Sequence, residues 1–434
     1  MLCFDEDAYF WEIFDDDIIP VSKQYCHIKF DPAHGGKLSF FKEALFSESL
    51  NSTKTEYYNI LFAQTSKNEK LTLINISINI KSTYAKGDSQ IDIRHYTSDI
   101  DYIIQGHWFR NSIYFDIFYV RYSYFEKWLN QKFILEYINK DNDKFGIVLK
   151  RPKSIIGNGK ELSFNINNKQ KRISSSREIN ISNNNVLAIS KNGNFDVKST
   201  FDIINKIKYF VEIAIYTSPE NIFIEDLYFS IDNKFKQKEE IKIFFKQSNY
   251  TPENDDTDID FLFTLNDIHH NFTDIINKWV GLFNNYENEI SGFCEVTSDK
   301  SNKLNAYSHF FKIVSSIEGF HKKNSNGLIT NNRTTLEKRL NDLIRRYKIQ
   351  TIIDIELDKI QVIIKFIIKT RNSIAHSNTK GTIIIDDKLI GSVNFLTIVY
   401  MIIIFITIDL SEELLKQIIR KKFMDIIKFI NKCF

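Results

Sequence analysis

The sequence predicts an α+β chain: a β-rich, sandwich-like domain over residues 1–290, then an all-α bundle of about five helices over residues 300–434. Three observations lead there. Up to about residue 245 apolar and polar residues tend to alternate, the period of a half-buried strand. From Asn266 onward the apolar period becomes about 3.6, the period of a helix with one buried face. Between them, SNYTPENDDTDIDF (248–261) has the composition of a turn-rich connector.

The elements follow in order. LTLINISINIKS (71–82) alternates around Leu71, Leu73, Ile76, Ile78 and Ile80. SIYFDIFYVRYSYF (112–125) is rich in aromatic and β-branched residues that suit a pleated surface. FEKWLNQ (125–131) reads as a short helix, and Phe201 to Tyr216 fits helix or strand. The Asn/Ser/Lys-rich stretch from Asn158 to Asn185 reads as solvated loops between strands. Lys169, Lys171, Arg172 and Arg177 there leave an RNA-contacting loop as the rival reading. Asp267 to Tyr286 reads as a helix. Five more follow: Lys303–His321, Thr334–Tyr347, Asp354–His376, Asn394–Leu410 and Ser411–Lys432. KGTIIIDDKLIGS (380–392) reads as a small hairpin or extended loop between the third and fourth.

Composition narrows the class. The chain has 434 residues and a formal net charge of +2, so any nucleic-acid binding needs a local basic patch. The four cysteines, Cys3, Cys26, Cys294 and Cys433, are scattered and form no C-x-x-C pair, which fits a reducing cytoplasm. The acidic start MLCFDEDAYFWEIFDDD lacks the basic region of a secretory signal. FLTIVYMIIIFITIDL (395–410) is shorter than the roughly 18 apolar residues of a membrane span, so a buried bundle helix is expected and no membrane partner.

One motif carries chemistry. IIKTRNSIAHSN (367–378) ends the third bundle helix and places Arg371 five positions before His376, with Asn372 between them. The spacing alone discriminates little, because roughly one such pair is expected by chance in this composition. The context says more, since a cation beside an apolar helix face calls for a partner. Histidine titrates near neutrality and can act as base or acid. Arginine stays charged and can hold a phosphate bidentately. The structural alternative makes Arg371 an ion-pair partner of Glu318 or Asp386, and His376 a cation favoured at a helix C-terminus. Glu318 and His321, about one turn apart on the first bundle helix, are candidate cleft-lining residues. His269-His270 has no further ligand at metal spacing, and no Gly-rich phosphate loop occurs.

Arg, a polar residue and a downstream His form the signature of HEPN domains, and TRNSIAHSN resembles its form in the ApeA family of anti-phage proteins. SSIEGFHKK (315–323), TLEKRLNDLI (335–344), IYFDIFYVRYSYFEKWL (113–129) and Trp279 extend the resemblance over nearly the whole chain. The resemblance implies an N-terminal ApeA-like sensing and regulatory domain and a C-terminal HEPN endoribonuclease domain. It implies cleavage without metal or other cofactor, by attack of the RNA 2′-hydroxyl, with Arg371, His376 and Asn372 as catalytic residues. On one ideal helix Arg371 and His376 lie about 140° apart, so a single copy does not converge them on one phosphate. A homodimer through the HEPN domain would. RNA is the implied substrate, transfer RNA a candidate target, and a phage component the implied trigger of abortive infection. Two rivals remain at this point: a non-catalytic HEPN module that dimerises or binds RNA, and a carbohydrate-binding or adhesion protein suggested by the aromatic N-terminal half.

Overall fold

The alternating segments of the N-terminal half do form strands in the computed structural model. It describes residues 3–11, 23–45, 55–85, 91–109, 113–129, 134–139, 145–150, 156–157, 162–174, 179–215, 222–232, 238–247, 261–298, 305–324, 334–375 and 387–434. The strands are β1 (Phe4–Trp11), β2 (Gln24–Asp31), β3 (Gly35–Leu45), β4 (Glu56–Thr65), β5 (Lys70–Ala85), β6 (Ile91–Gln105), β7 (Phe115–Tyr122), β8 (Ile134–Asn139), β9 (Phe145–Lys150), β10 (Ile156–Gly157), β11 (Leu162–Ser174), β12 (Ile179–Phe195), β13 (Ile224–Asp232) and β14 (Lys238–Phe245). The chain forms two units, one of residues 1–126, 154–202 and 223–255, the other of residues 127–153, 203–222 and 256–434.

In the first unit, β6-β3-β2-β1-β4-β5 pair in that order and β5 pairs back onto β6, which closes a barrel. The sandwich-like expectation is refined here, because the pairing of β1 with β4 and of β5 with β6 joins what would be two layers into one ring. Strand β6 makes this possible by its length. One edge pairs with β5 from Asp92 to Gln105, while the other pairs first with β3, up to Ile100, and then with β14 from Tyr102. Gly36 sits at the handover, where a Cβ would lie 3.0 Å from Ile100 Cβ and from Ile103 Cδ1. Inward-facing Phe10, Ile28, Phe30, Leu38, Leu73 and Ile103 fill the barrel. Beyond β6 the sheet continues as β14-β13-β7-β12-β11-β10. Its core is aromatic, with Phe115 stacked on Phe229 at 4.3 Å and Phe118 against Phe195 at 4.9 Å.

The stretch expected as solvated loops is instead mostly strand. β11 and β12 form one long antiparallel hairpin, in register from Leu162↔Lys191 to Ser174↔Ile179. Its polar composition hid the alternation of Leu162, Phe164 and Ile166, all buried. Backbone pairing, which any side chain permits, does the rest.

Among the described residues the second unit is helical, apart from the antiparallel strands β8 and β9. Its helices are α1 (Phe125–Leu129) and α2 (Val197–Ala214), both straddling the unit boundary, then α3 (Leu265–Ile268), α4 (Phe272–Ser298), α5 (Ala306–Asn324), α6 (Leu336–Arg346), α7 (Leu357–Ala375), α8 (Asp387–Thr407), α9 (Glu412–Ile418) and α10 (Met424–Cys433). The ambiguous segment near Phe201 is therefore helix. Residues 261–290, grouped with the N-terminal part in the sequence reading, cluster with this unit. A π turn (Ile419–Phe423) separates α9 from α10, so the expected fifth bundle helix is one continuous run with a bulge.

Helix α8 is long and apolar enough to cross a membrane, with a mean hydropathy of 2.4, but 83% of that window is buried inside the unit. Tyr400 packs against Phe293 and Phe320, and Phe405 against Phe263, so α8 is the core helix. It begins at Asp387, seven residues before the expected Asn394, so the second half of the expected hairpin is helical. Burial of Leu389, and of Gly391 against Cys433 and Phe434, favours the extra turns. Residues 380–386 lie outside the described residues.

Candidate active site

Helix α7 holds the candidate motif because its apolar residues recur on one face. Ile360, Ile363, Ile364 and Ile367 are wholly buried, while Lys365, Lys369, Asn372 and Ser373 face outward. Arg371 stands one turn from the helix end with its side chain 41% exposed. Its Nη2 lies 3.9 Å from Glu318 Oε2 on α5, and its Nη1 donates to Asn372 Oδ1 at 3.5 Å. The structure thus brings Arg371, Asn372 and Glu318 together. His376, like Asp386, lies outside the described residues. The Glu318 contact is the ion pair weighed from sequence, but it is long for a hydrogen bond. It can steady the guanidinium while leaving most of its donors for another anion.

His321 is placed differently. It is wholly buried between α5 and α6, with Nε2 3.0 Å from Asp342 Oδ2 and Nδ1 3.3 Å from Arg339 Nη1. Those partners fit the neutral ring with its proton on Nε2, donating to Asp342 and accepting from Arg339. The residue proposed as cleft-lining is therefore inside this unit, where it ties the helix carrying Glu318 to α6. Asp342 in turn accepts from Arg346 at 2.5 Å and from Arg345 at 3.4 Å. Sequence reasoning missed Asp342 and Arg339. Asp342 was marked only by lying three and four residues before two arginines on one helix, and nothing local linked it to His321.

Burial lowers the pKa of His321, against the upward pull of the Asp342 hydrogen bond. For Asp342, burial pushes upward, but the His321 hydrogen bond and the Arg346 charge leave the carboxyl below its ordinary value. The linkage follows. The unfolded histidine protonates near pH ~6.5 and the folded one only lower, so stability falls as pH drops from there. The Asp342 contribution is present above the ordinary carboxylate range and is lost at lower pH still, through its own depressed value. Urea midpoints of wild type and His321→Gln between pH 7.5 and 5 check the first step. Wild type is expected to lose stability more steeply, and parallel curves would count against it.

Two glycines let α4 and α5 approach closely. A Cβ on Gly292 would lie 2.8 Å from Ser316 Oγ, and one on Gly319 would lie 2.6 Å from Glu289 Oε1 and 3.0 Å from its Cγ. Glu289 is buried and held by Lys323 at 2.8 Å, so it yields little. Gly319→Ala is expected to cost about 1–3 kcal/mol in urea unfolding, and an unchanged midpoint would mean Glu289 moves freely.

Among the described residues no group of three or more His, Cys, Asp or Glu is placed to hold a metal ion. The rings of His269 and His270 lie tilted at 41° with centroids 3.6 Å apart, and burial pushes the Cys294 thiol well above its ordinary value.

The end of α7 presents the Arg371-Asn372 part of the expected HEPN signature, and the family comparisons show which class of protein carries it. The model for Apea-like HEPN matches residues 231–414, which contain Glu318, Arg371, Asn372 and His376. The model for ApeA N-terminal domain 1 matches residues 7–279. The chain belongs to the ApeA family. No curated protein and no solved structure matches it.

Proposed function

We propose that this chain is an anti-phage endoribonuclease whose HEPN unit cleaves RNA without a metal ion. The observation that carries the reading is the Apea-like HEPN match over a segment whose Arg371 and Asn372 stand at the outward end of α7, with Arg371 only loosely engaged by Glu318. Two copies meet through their HEPN units, so that two Arg371 and two His376 line one cleft. One His376 takes the proton of the 2′-hydroxyl as its oxygen bonds to phosphorus. The P–O5′ bond breaks, and the second His376 gives its proton to the leaving 5′-oxygen. The products are a 2′,3′-cyclic phosphate and a 5′-hydroxyl. Arg371 neutralises the charge that grows on the phosphate, and Asn372 orients His376 or the phosphate. The N-terminal barrel restrains this activity in the cytoplasm until a phage component releases it. Transfer RNA, which displays single-stranded loops, is the target we favour.

The test is incubation of wild type with total cellular RNA in EDTA, alone and after phage infection of the expressing cells. Discrete fragments ending in cyclic phosphate support the reading. RNA left intact in infected cells, while the protein binds it, would favour a non-catalytic HEPN module.

A further inference from the structure

The outward face of α7 carries more than Asn372. At about 100° per residue, Val362, Lys365, Lys369 and Asn372 fall within an arc of about 80°. Lys365, Lys369 and Asn372 are all exposed, and Val362 is 49% exposed. Among the described residues neither Lys365 nor Lys369 has a hydrogen-bond or ion-pair partner. Lys338, Lys421 and Lys432 elsewhere in this unit likewise have no side-chain partner among the described residues, but Lys365 and Lys369 stand one turn apart on the helix that carries Arg371 and Asn372. The carboxylate on this stripe, Asp358, lies seven residues before Lys365, about 10 Å along the axis. From Lys365 to Asn372 the stripe runs about another 10 Å. A strand laid along this stripe carries one charge per nucleotide and so brings more than one phosphate past the two lysines.

We infer that Lys365 and Lys369 form a phosphate track that holds the RNA strand leading to the Arg371–Asn372 site. The inference rests on the ribonuclease reading for the identity of the polyanion. Charge chooses the occupant, because two unneutralised ammonium groups one turn apart repel each other and favour a strand of repeating negative charge. A buried protein contact is disfavoured, since it would strip water from both lysines with no carboxylate to receive them, and lysine is depleted at interface cores. The two lysines are positioning residues: they act on where the strand lies, and Arg371 acts on the reacting phosphate.

The test uses the full-length protein and a fluorescent single-stranded RNA whose riboses are 2′-O-methylated, which blocks the attacking group and separates binding from cleavage. Affinity is measured from low to physiological salt for wild type, Lys365→Gln/Lys369→Gln and Lys365→Arg/Lys369→Arg. Each phosphate contact contributes about 0.7 to the slope of log affinity against log salt for a single strand. The glutamine variant is expected to lower that slope by about 1.4 and the arginine variant to restore it. With unmodified RNA the glutamine variant should show a raised KM and a largely retained kcat. An unchanged slope in the glutamine variant, with wild type cleaving RNA, overturns the track and leaves the ribonuclease reading standing. A shift in oligomeric state with an unchanged slope assigns the stripe to an interface and overturns it as well. A lowered slope with no cleavage by wild type, either purified or in phage-infected cells, supports the track and removes the nuclease. Failure of wild type to bind RNA at any salt removes both.

Discussion

Arg371→Ala is expected to slow RNA cleavage by about 10²–10³-fold, the usual cost of removing one group that stabilises transition-state charge. His376→Ala should lose about 10²–10⁴-fold, the range for a general acid or base. Arg371→Lys should recover little, because an ammonium keeps the charge but not the bidentate fork. In the proposed dimer both residues would act on one phosphate as a unit, so the two alanine losses should not add when combined. Arg371 is half-exposed and contacts Glu318 only at 3.9 Å, so its replacement should move the urea midpoint little. Loss of cleavage without loss of stability is the signature that separates a catalytic arginine from a structural one. The assay is fragment formation in EDTA, scored by cyclic-phosphate ends. Full activity in Arg371→Ala would return this residue to the role of ion-pair partner.

The largest stability effect is expected from Trp279→Ala. Trp279 is wholly buried in α4, donates its indole N–H to the Lys206 carbonyl of α2 at 2.6 Å, and packs on Phe210 and Phe283 with ring centroids 5.7 and 5.9 Å away. Truncation removes that contact area and leaves a cavity the helices cannot fully close, at a cost of about 3–5 kcal/mol. A domain's whole stability is about 5–15 kcal/mol, so the helical unit should unfold well before wild type in urea. Trp279→Phe keeps most of the volume and loses the hydrogen bond, and should cost less. Separate transitions for the barrel and the helical unit, with only the second shifted, would place the effect where these contacts are. Equal losses in both variants would mean that the indole hydrogen bond, and not packing, secures α2.

Much of this was legible in the sequence because it is local. The change of apolar period from two to 3.6 marked strands before residue 245 and helices after 266, since each period follows from backbone geometry alone. The third bundle helix and an apolar face beside its motif were legible, while only the structure shows that Ile360, Ile363, Ile364 and Ile367 fill that face and that Asn372 stands exposed. The burial of the apolar 395–410 run could be read from its length and composition, whereas the HEPN reading of the Arg-Asn pair came from resemblance to a known family and not from spacing.

Pairings between distant segments could not, because they depend on how remote chain segments meet and leave no trace at either partner. Closure of the barrel depends on β6 serving β5 on one edge and β3 then β14 on the other. The β11–β12 hairpin is held by backbone bonds to which an Asn/Ser/Lys composition is blind. His321 looked like a cleft residue by its spacing from Glu318, and only the packing of α5 on α6 put it between Asp342 and Arg339. Local periodicity determined which faces are buried; tertiary packing decided which polar side chains are consumed inside the protein and which, like Arg371, Lys365 and Lys369, remain exposed.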